Sequence, residues 1–289
     1  MRGDEIFRMF ASAKKFNSST MKQLLTLLLA LVALQTQAKV VKDKVPSDKM
    51  GRSIPCVIVL PDNYDPQAAY PAIYLLHGFG GNQNTWIAVK PSLNDIATRN
   101  SLIFVCPDGE SSWYWDSPTQ PQSQFETFVA HELTGYIDSH YATRADRGGR
   151  AITGFSMGGH GGLWLSMRHP DIFGAGGSIS GGVDIRPFPD NWKMKEQLGP
   201  YEENPDVWDA HTVINQLDSL TPGNPHIVFD CGYDDFFYTV NQRLHEELLR
   251  RGIPHDYYNH PGRHTNNYSA NALDYQILFF NKYFDSAVK

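Results

Sequence analysis

Three short stretches carry the residue types of acyl-transfer chemistry. The first is Gly154-Phe155-Ser156-Met157-Gly158, a serine between glycines. A serine hydroxyl is a weak nucleophile. It needs a base within hydrogen-bond reach, a group that orients the base, and N–H donors for the charge that grows on the attacked oxygen. The second stretch, Asp230-Cys231-Gly232-Tyr233-Asp234-Asp235, follows an apolar run and offers Asp234 and Asp235 as carboxylates. The third, Asn259-His260-Pro261-Gly262-Arg263-His264, offers two imidazoles.

The serine sits where "RAITG" passes into "MGGHGGLWLSM", a strand-like run followed by a helix-like one. G-x-S-x-G at such a junction is a nucleophile elbow. Its turn is so sharp that bulk two residues either side of the serine would clash, hence Gly154 and Gly158. Gly159, Gly161 and Gly162 then let the helix pack close to the sheet. The turn aims the Met157 N–H at the oxygen that gains charge, near the positive end of a helix. A phosphate cradle would need a lysine after the glycines, and none is there. A dinucleotide site would need G-x-G-x-x-G after the first strand of a βαβ unit.

Well before the serine, "LLHGFGG" (75–81) follows another strand-like run. Its glycines bring backbone close, and the Phe79 N–H is expected to join that of Met157 as an oxyanion donor. His77 precedes the serine and is read as structural. With a nucleophile elbow, the acid and then the histidine follow the serine along the chain. His264 lies in the loop after Gly262, where its ring can swing over the sheet edge; His260 is the alternative base. A metal site of His255, His260 and His264 would have no recognised ligand spacing.

These residues need a frame. Apolar runs at 54–60, 72–76, 102–105, 151–154, 175–180, 226–230 and 255–259 read as strands, several continuous enough to be covered on both faces. Helical patterns occupy 124–141, 237–251 (stopped by Gly252) and about 271–283. This alternation predicts an α/β fold: a mostly parallel central sheet flanked by helices. Residues 39–60 hold two strand-like runs around "PSDKMG", which predict an antiparallel start. Residues 182–222 carry five prolines and break the rhythm, which predicts a cap-like, lid-like insertion in a single domain over 39–289.

The 289 residues are 41% hydrophobic and 19% charged, ordinary for a globular protein. Lys22 to Ala38 reads as a cleavable export signal: a lysine, the 11-residue apolar stretch 24–34, then small residues. That stretch is well short of the ~20 residues of a spanning helix. Met21 looks the better start than Met1, and cleavage is expected near Ala38. The expected location is therefore secreted or periplasmic. Of the chain's 25 basic and 31 acidic residues, 1–38 hold five and two, so the remainder carries net charge −9. Nucleic acid and anionic membrane are disfavoured as partners, and no membrane insertion is expected. Cys56, Cys106 and Cys231 are too few and too scattered for a disulfide framework and read as buried thiols.

With these stretches in view, the chain resembles the esterase D / S-formylglutathione hydrolase-like branch of the α/β-hydrolases, which includes secreted feruloyl and acetyl esterases and the mycolyltransferases. The resemblance covers about residues 45–284. It rests on "YPAIYLLHGFGGNQNTW", "FVCPDGESSWYWDS", "ITGFSMGGHGGLWLSMRHPDIFGAGGSISG", "FDCGYDDFFYTVNQRLHEELLRRGI" and "HPGRHT". It implies an α/β-hydrolase fold, Ser156 as nucleophile, and Asp235 rather than Asp234 as the acid. It also implies His264 as the base. In "PGRHTNN" the chain departs from the family's P-G-G-H-x-W, with Arg263 for a glycine and Asn266 for the tryptophan.

The resemblance implies a secreted serine esterase needing no metal or organic cofactor, acting on feruloyl or acetyl esters of plant polysaccharide. The alternatives are a transferase passing the acyl group to a sugar hydroxyl and a general short-chain acyl esterase. Trp113, Tyr114 and Trp115 follow the end of a strand and are expected to face the site and stack on a sugar or cinnamoyl ring. Trp86 is a further substrate-binding candidate, and Trp192 a weaker one.

Overall fold

Eight strands form one sheet in the computed structural model, which describes residues 39–221 and 223–287. The expected leader lies outside the described residues. The strands are β1 Lys39–Ser47, β2 Arg52–Leu60, β3 Ala72–Leu76, β4 Ile103–Pro107, β5 Arg150–Gly154, β6 Ala175–Ile179, β7 His226–Gly232 and β8 His255–His260. Their order in space is β1-β2-β4-β3-β5-β6-β7-β8. β1 and β2 pair antiparallel across the 48–51 turn, and β2 runs antiparallel to β4. Every other pairing is parallel. The α/β expectation holds, antiparallel start included.

The two-residue period of the strands divides the core. Ile54, Cys56, Ile58, Tyr74, Leu76, Ile152 and Phe229 face one apolar layer, together with the helices Met157–Arg168 and Tyr238–Arg250. Val57, Val59, Ile73, Leu75, Phe104 and Val228 face the other, covered by Leu93–Asn100 and Asn266–Ser286. β3, β4 and β5 are buried throughout, as continuous apolar strands should be when both faces are covered. The three cysteines are buried free thiols, as expected.

Three elements differ from the sequence expectation. The 124–141 helix is present, but its middle turn, Phe128–Leu133, is π-wound between α-helical ends. The last helix begins five residues earlier than its apolar period suggests. The Thr265 hydroxyl accepts from the Tyr268 N–H and caps it there. The 182–222 excursion contains short helices at Met194–Leu198 and Pro205–Ala210 and a 3₁₀ stretch at Val213–Ser219. Met194, Leu198, Trp208, Val213 and Leu217 are buried in the main apolar layer. Among the described residues, no helix is long and apolar enough to cross a membrane.

A buried polar seam ties the last helix to the sheet. The Gln276 amide donates to Asp230 Oδ2 (2.9 Å) and to the Ser178 carbonyl (2.8 Å), and its oxygen accepts from the Thr153 hydroxyl (2.5 Å). Burial pushes the Asp230 carboxyl up to about 7. The folded state thus binds this proton more tightly than the unfolded chain. Its contribution to stability is complete below about pH 4 and is lost as pH rises toward about 7. Asp230→Asn, which keeps the acceptor for Gln276, should therefore melt increasingly above wild type as pH rises from about 5 to about 8. The gap should reach a few kcal/mol. Thermal melts across that range test this; a gap that does not change with pH would refute it.

Candidate active site

The serine comes from the join of β5 and the helix Met157–Arg168. Ser156 has φ +60° and ψ −117°, a conformation a non-glycine residue rarely adopts, and it is only half-buried. Its N–H is held by the Ile179 carbonyl at 2.9 Å. The flanking glycines are sterically required. A methyl carbon at Gly154 would lie 2.4 Å from the Leu76 carbonyl oxygen, and one at Gly158 would lie 2.2 Å from the same atom. Met157 is the first residue of the helix, so its N–H has no partner within the helix.

Asp234 and Asp235 part company after β7. Asp234 is exposed, while Asp235 is buried and faces the serine side. The loop is pinned by its own backbone: Asp235 N–H to the Gly232 carbonyl (3.1 Å) and Asp234 N–H to the Gly262 carbonyl (2.9 Å). The Phe237 N–H donates to Asp235 Oδ1 at 2.9 Å, which fixes the carboxylate. His264, in the loop after β8, has Nδ1 at 2.8 Å from Asp235 Oδ2 and 3.1 Å from Oδ1. Its Nε2 is 2.8 Å from Ser156 Oγ. The carboxylate can only accept, so Nδ1 carries the proton and Nε2 is free to accept the serine hydroxyl's. The structure therefore brings Ser156, His264 and Asp235 into one hydrogen-bonded line.

The histidine ring is held by aromatics that the sequence reading did not single out. Phe236 lies 4.2 Å away between centroids, Phe155 4.5 Å and Phe237 5.6 Å. Phe236 is half exposed and stacks on Trp192 of the insertion (5.5 Å, 22°). The only hint in the sequence was position: each phenylalanine lies within two residues of the serine or the acid.

The loop after β3 lies against Ser156. A methyl carbon at Gly78 would approach Ser156 Cβ to 3.2 Å, and Phe79 next to it is partly exposed. His77 is buried and braces this loop. It accepts from the Gly109 N–H at Nε2 (2.7 Å), so its Nδ1–H donates to the Gly78 carbonyl (2.8 Å).

The substrate-facing expectation for Trp86, Trp113, Tyr114 and Trp115 is corrected. All four are at most 2% exposed. The Trp86 indole N–H donates to the Leu76 carbonyl, that of Trp113 to the Trp192 carbonyl, and the Tyr114 hydroxyl to the His77 carbonyl. Trp115 donates to His160 Nε2 at 2.8 Å, and His160 donates from Nδ1 to the Gly182 carbonyl. Burial holds His160 down at about 3, neutral and structural. Trp113 and Tyr114 both have positive φ (57° and 63°), which turns the stretch into the core.

The three late histidines do not gather. His255 bonds to His245, and His260 stacks on Tyr275. Among the described residues, no group of three or more His, Cys, Asp or Glu could hold a metal ion.

Residues 47–280 match the family model described as "Putative esterase". An esterase of Mycobacterium tuberculosis is 27% identical over 235 residues, covering 72% of this chain and 52% of the relative; the chain thus spans about half that relative's length. An acetyl esterase of Caldicellulosiruptor saccharolyticus is 26% identical over 219 residues, covering 70% of this chain and 82% of the relative. A solved ferulic acid esterase superposes with a TM-score of 0.71 at 26% identity, covering 86% of this chain and 99% of that one. Fold, motif positions and family match agree: the chain belongs to the esterase D-like esterase family of the α/β-hydrolases.

Proposed function

We propose that this protein is a serine carboxylic-ester hydrolase that is exported and acts on acylated carbohydrate, with acetyl and feruloyl esters as the two acyl classes. The observation that carries it is the unbroken line from Ser156 Oγ through His264 to a buried Asp235. Ser156 Oγ attacks the ester carbonyl carbon as His264 Nε2 takes its proton. Asp235 keeps the imidazole in the right tautomer and stabilises its charged form. The N–H groups of Phe79 and Met157 receive the oxyanion. His264 then protonates the departing alcohol. It next takes a proton from water, whose oxygen attacks the acyl-enzyme, and returns that proton to Ser156 as the acid leaves. The relatives named acetyl esterase and ferulic acid esterase support the ester class. The half-exposed Phe236, stacked on Trp192, offers an apolar rim beside His264 on which a planar acyl group can rest.

The test is hydrolysis of p-nitrophenyl acetate, p-nitrophenyl butyrate and methyl ferulate by wild type and Ser156→Ala. Turnover that falls at least about 10⁴-fold in the variant is expected. The ferulate-to-acetate ratio of kcat/KM then ranks the acyl classes. A folded wild type inert on all three esters, or a variant as active as wild type, would reject the reading.

A further inference from the structure

The end of β8 and the last helix line a cavity beside the loop that carries His264. Its volume is about 210 Å³, and it is lined by His260, Pro261, Tyr268, Asn271, Ala272 and Tyr275. Three aromatic rings meet at its edge. Tyr258 and His260 lie 6.3 Å apart with planes 11° apart, His260 and Tyr275 5.1 Å and 28°, Tyr258 and Tyr275 5.7 Å and 36°. The two pairs that His260 makes are near-parallel, and at these separations their rings are offset rather than piled face on face. Tyr275 is 47% exposed, so the surface opens to solvent.

Two polar groups give the cavity a chemistry. His260 Nε2 is buried with no hydrogen-bond partner among the described residues. A buried polar nitrogen left without a partner is costly, and a ligand hydroxyl could satisfy it whichever tautomer it holds. Asn271 sits exposed one helical turn before Tyr275 and can both donate and accept. An apolar, ring-shaped face beside scattered neutral hydrogen-bonding groups matches a sugar, whose C–H face stacks on aromatics while its hydroxyls pair at the rim. No arginine or lysine lines the cavity, and the protein is acidic overall, so an anionic ligand is a poor fit.

We propose that this cavity is a sugar-binding subsite. It would hold one residue of a neutral polysaccharide next to the ester-cleaving centre. Pro261, in its wall, lies three residues before His264 in the chain. The proposal rests on the acylated-carbohydrate reading above, and its test separates the two.

The full chain would be run through native gels with and without deacylated soluble arabinoxylan, as wild type, Asn271→Ala, Tyr275→Ala and Tyr275→Phe. Kinetics would be measured on p-nitrophenyl acetate and on acetylated xylan. Wild type and Tyr275→Phe should be retarded by the polysaccharide, Tyr275→Ala should lose retardation, and Asn271→Ala should lose part of it. Tyr275→Ala should raise KM on the polymer about fivefold to tenfold while kcat/KM on p-nitrophenyl acetate stays within about twofold. Unretarded wild type that still cleaves p-nitrophenyl acetate would overturn the subsite and leave the esterase reading standing. Equal loss on both substrates in Tyr275→Ala would overturn it too, because the ring would then be supporting the His264 loop. Retarded wild type inert on every ester would keep a sugar site and sink the hydrolase.

Discussion

His264→Ala should lower kcat on p-nitrophenyl acetate by about 10⁵- to 10⁶-fold, and Asp235→Asn by about 10⁴-fold, with KM nearly unchanged in both. The difference in size follows from the geometry. His264 Nε2 is the atom 2.8 Å from the serine oxygen, so its loss removes the proton acceptor itself. Asp235 acts one step away. An amide can present its oxygen or its N–H to Nδ1; the N–H would force the proton onto Nε2, where it blocks the serine. The Phe237 N–H that donates to Asp235 Oδ1 favours keeping an oxygen at that position, which leaves the N–H for the histidine. Combining the two changes should cost little more than His264→Ala alone, because the residues act as a unit. Steady-state kinetics on the three variants, with melts to establish folding, check this. Additive losses would mean that the line of hydrogen bonds is not the reaction path.

Gly158→Ala should be among the most damaging methyl additions at any described glycine. The added carbon would sit 2.2 Å from the Leu76 oxygen, 2.6 Å from the Leu76 carbonyl carbon and 2.7 Å from the His77 oxygen. All three are backbone atoms, so no side chain can rotate away. Either the helix backs off the sheet or β3 shifts, and the Gly78–Phe79 loop moves with it. A loss of at least about 3 kcal/mol is expected, at the upper end of overpacking effects. In whatever protein remains folded, kcat should fall about 10²-fold or more, since displacements near 1 Å at the reacting atoms cost that much. Gly135→Ala is the control. It lies exposed in the helix Thr134–His140 with nothing within 4 Å of the added carbon, and should be neutral or slightly stabilising. Denaturant melts and kinetics on both variants decide it; a Gly158→Ala protein of wild-type stability would mean that the elbow is looser than its contacts indicate.

Much of the frame was legible because the parallel strands are buried on both faces and announce themselves as apolar runs. The serine, acid and histidine that come into contact were legible because a sharp turn restricts its neighbours to glycine and because the chain order is fixed by the fold. The aromatics were not legible. "WYW" at 113–115 sits where a substrate-facing loop should be, but two left-handed residues in succession turn it inward, and no composition rule reports backbone sign. Phe236 is the half-exposed ring beside His264 instead, and lies next to an aspartate that drew the attention. The short helices of the insertion were hidden by prolines, one of which, Pro205, opens a helix rather than ending one. The early start of the last helix depended on a threonine cap inside a stretch read as loop.

The bond between Ser156 and His264 closes 108 residues of chain. The ribosome therefore delivers Ser156 long before His264. At roughly 5–20 residues per second, the interval is on the order of five to twenty seconds. Through that interval Ser156 lacks the imidazole that lies 2.8 Å from its hydroxyl in the folded protein. On the proposed mechanism, a chain ending before residue 264 lacks the base and keeps only the residual catalysis of its oxyanion donors. Under the proposed mechanism, ester turnover reads out the docking of β8 and the helix behind it, and is a stricter reporter of completed folding than any spectroscopic signal from the early strands.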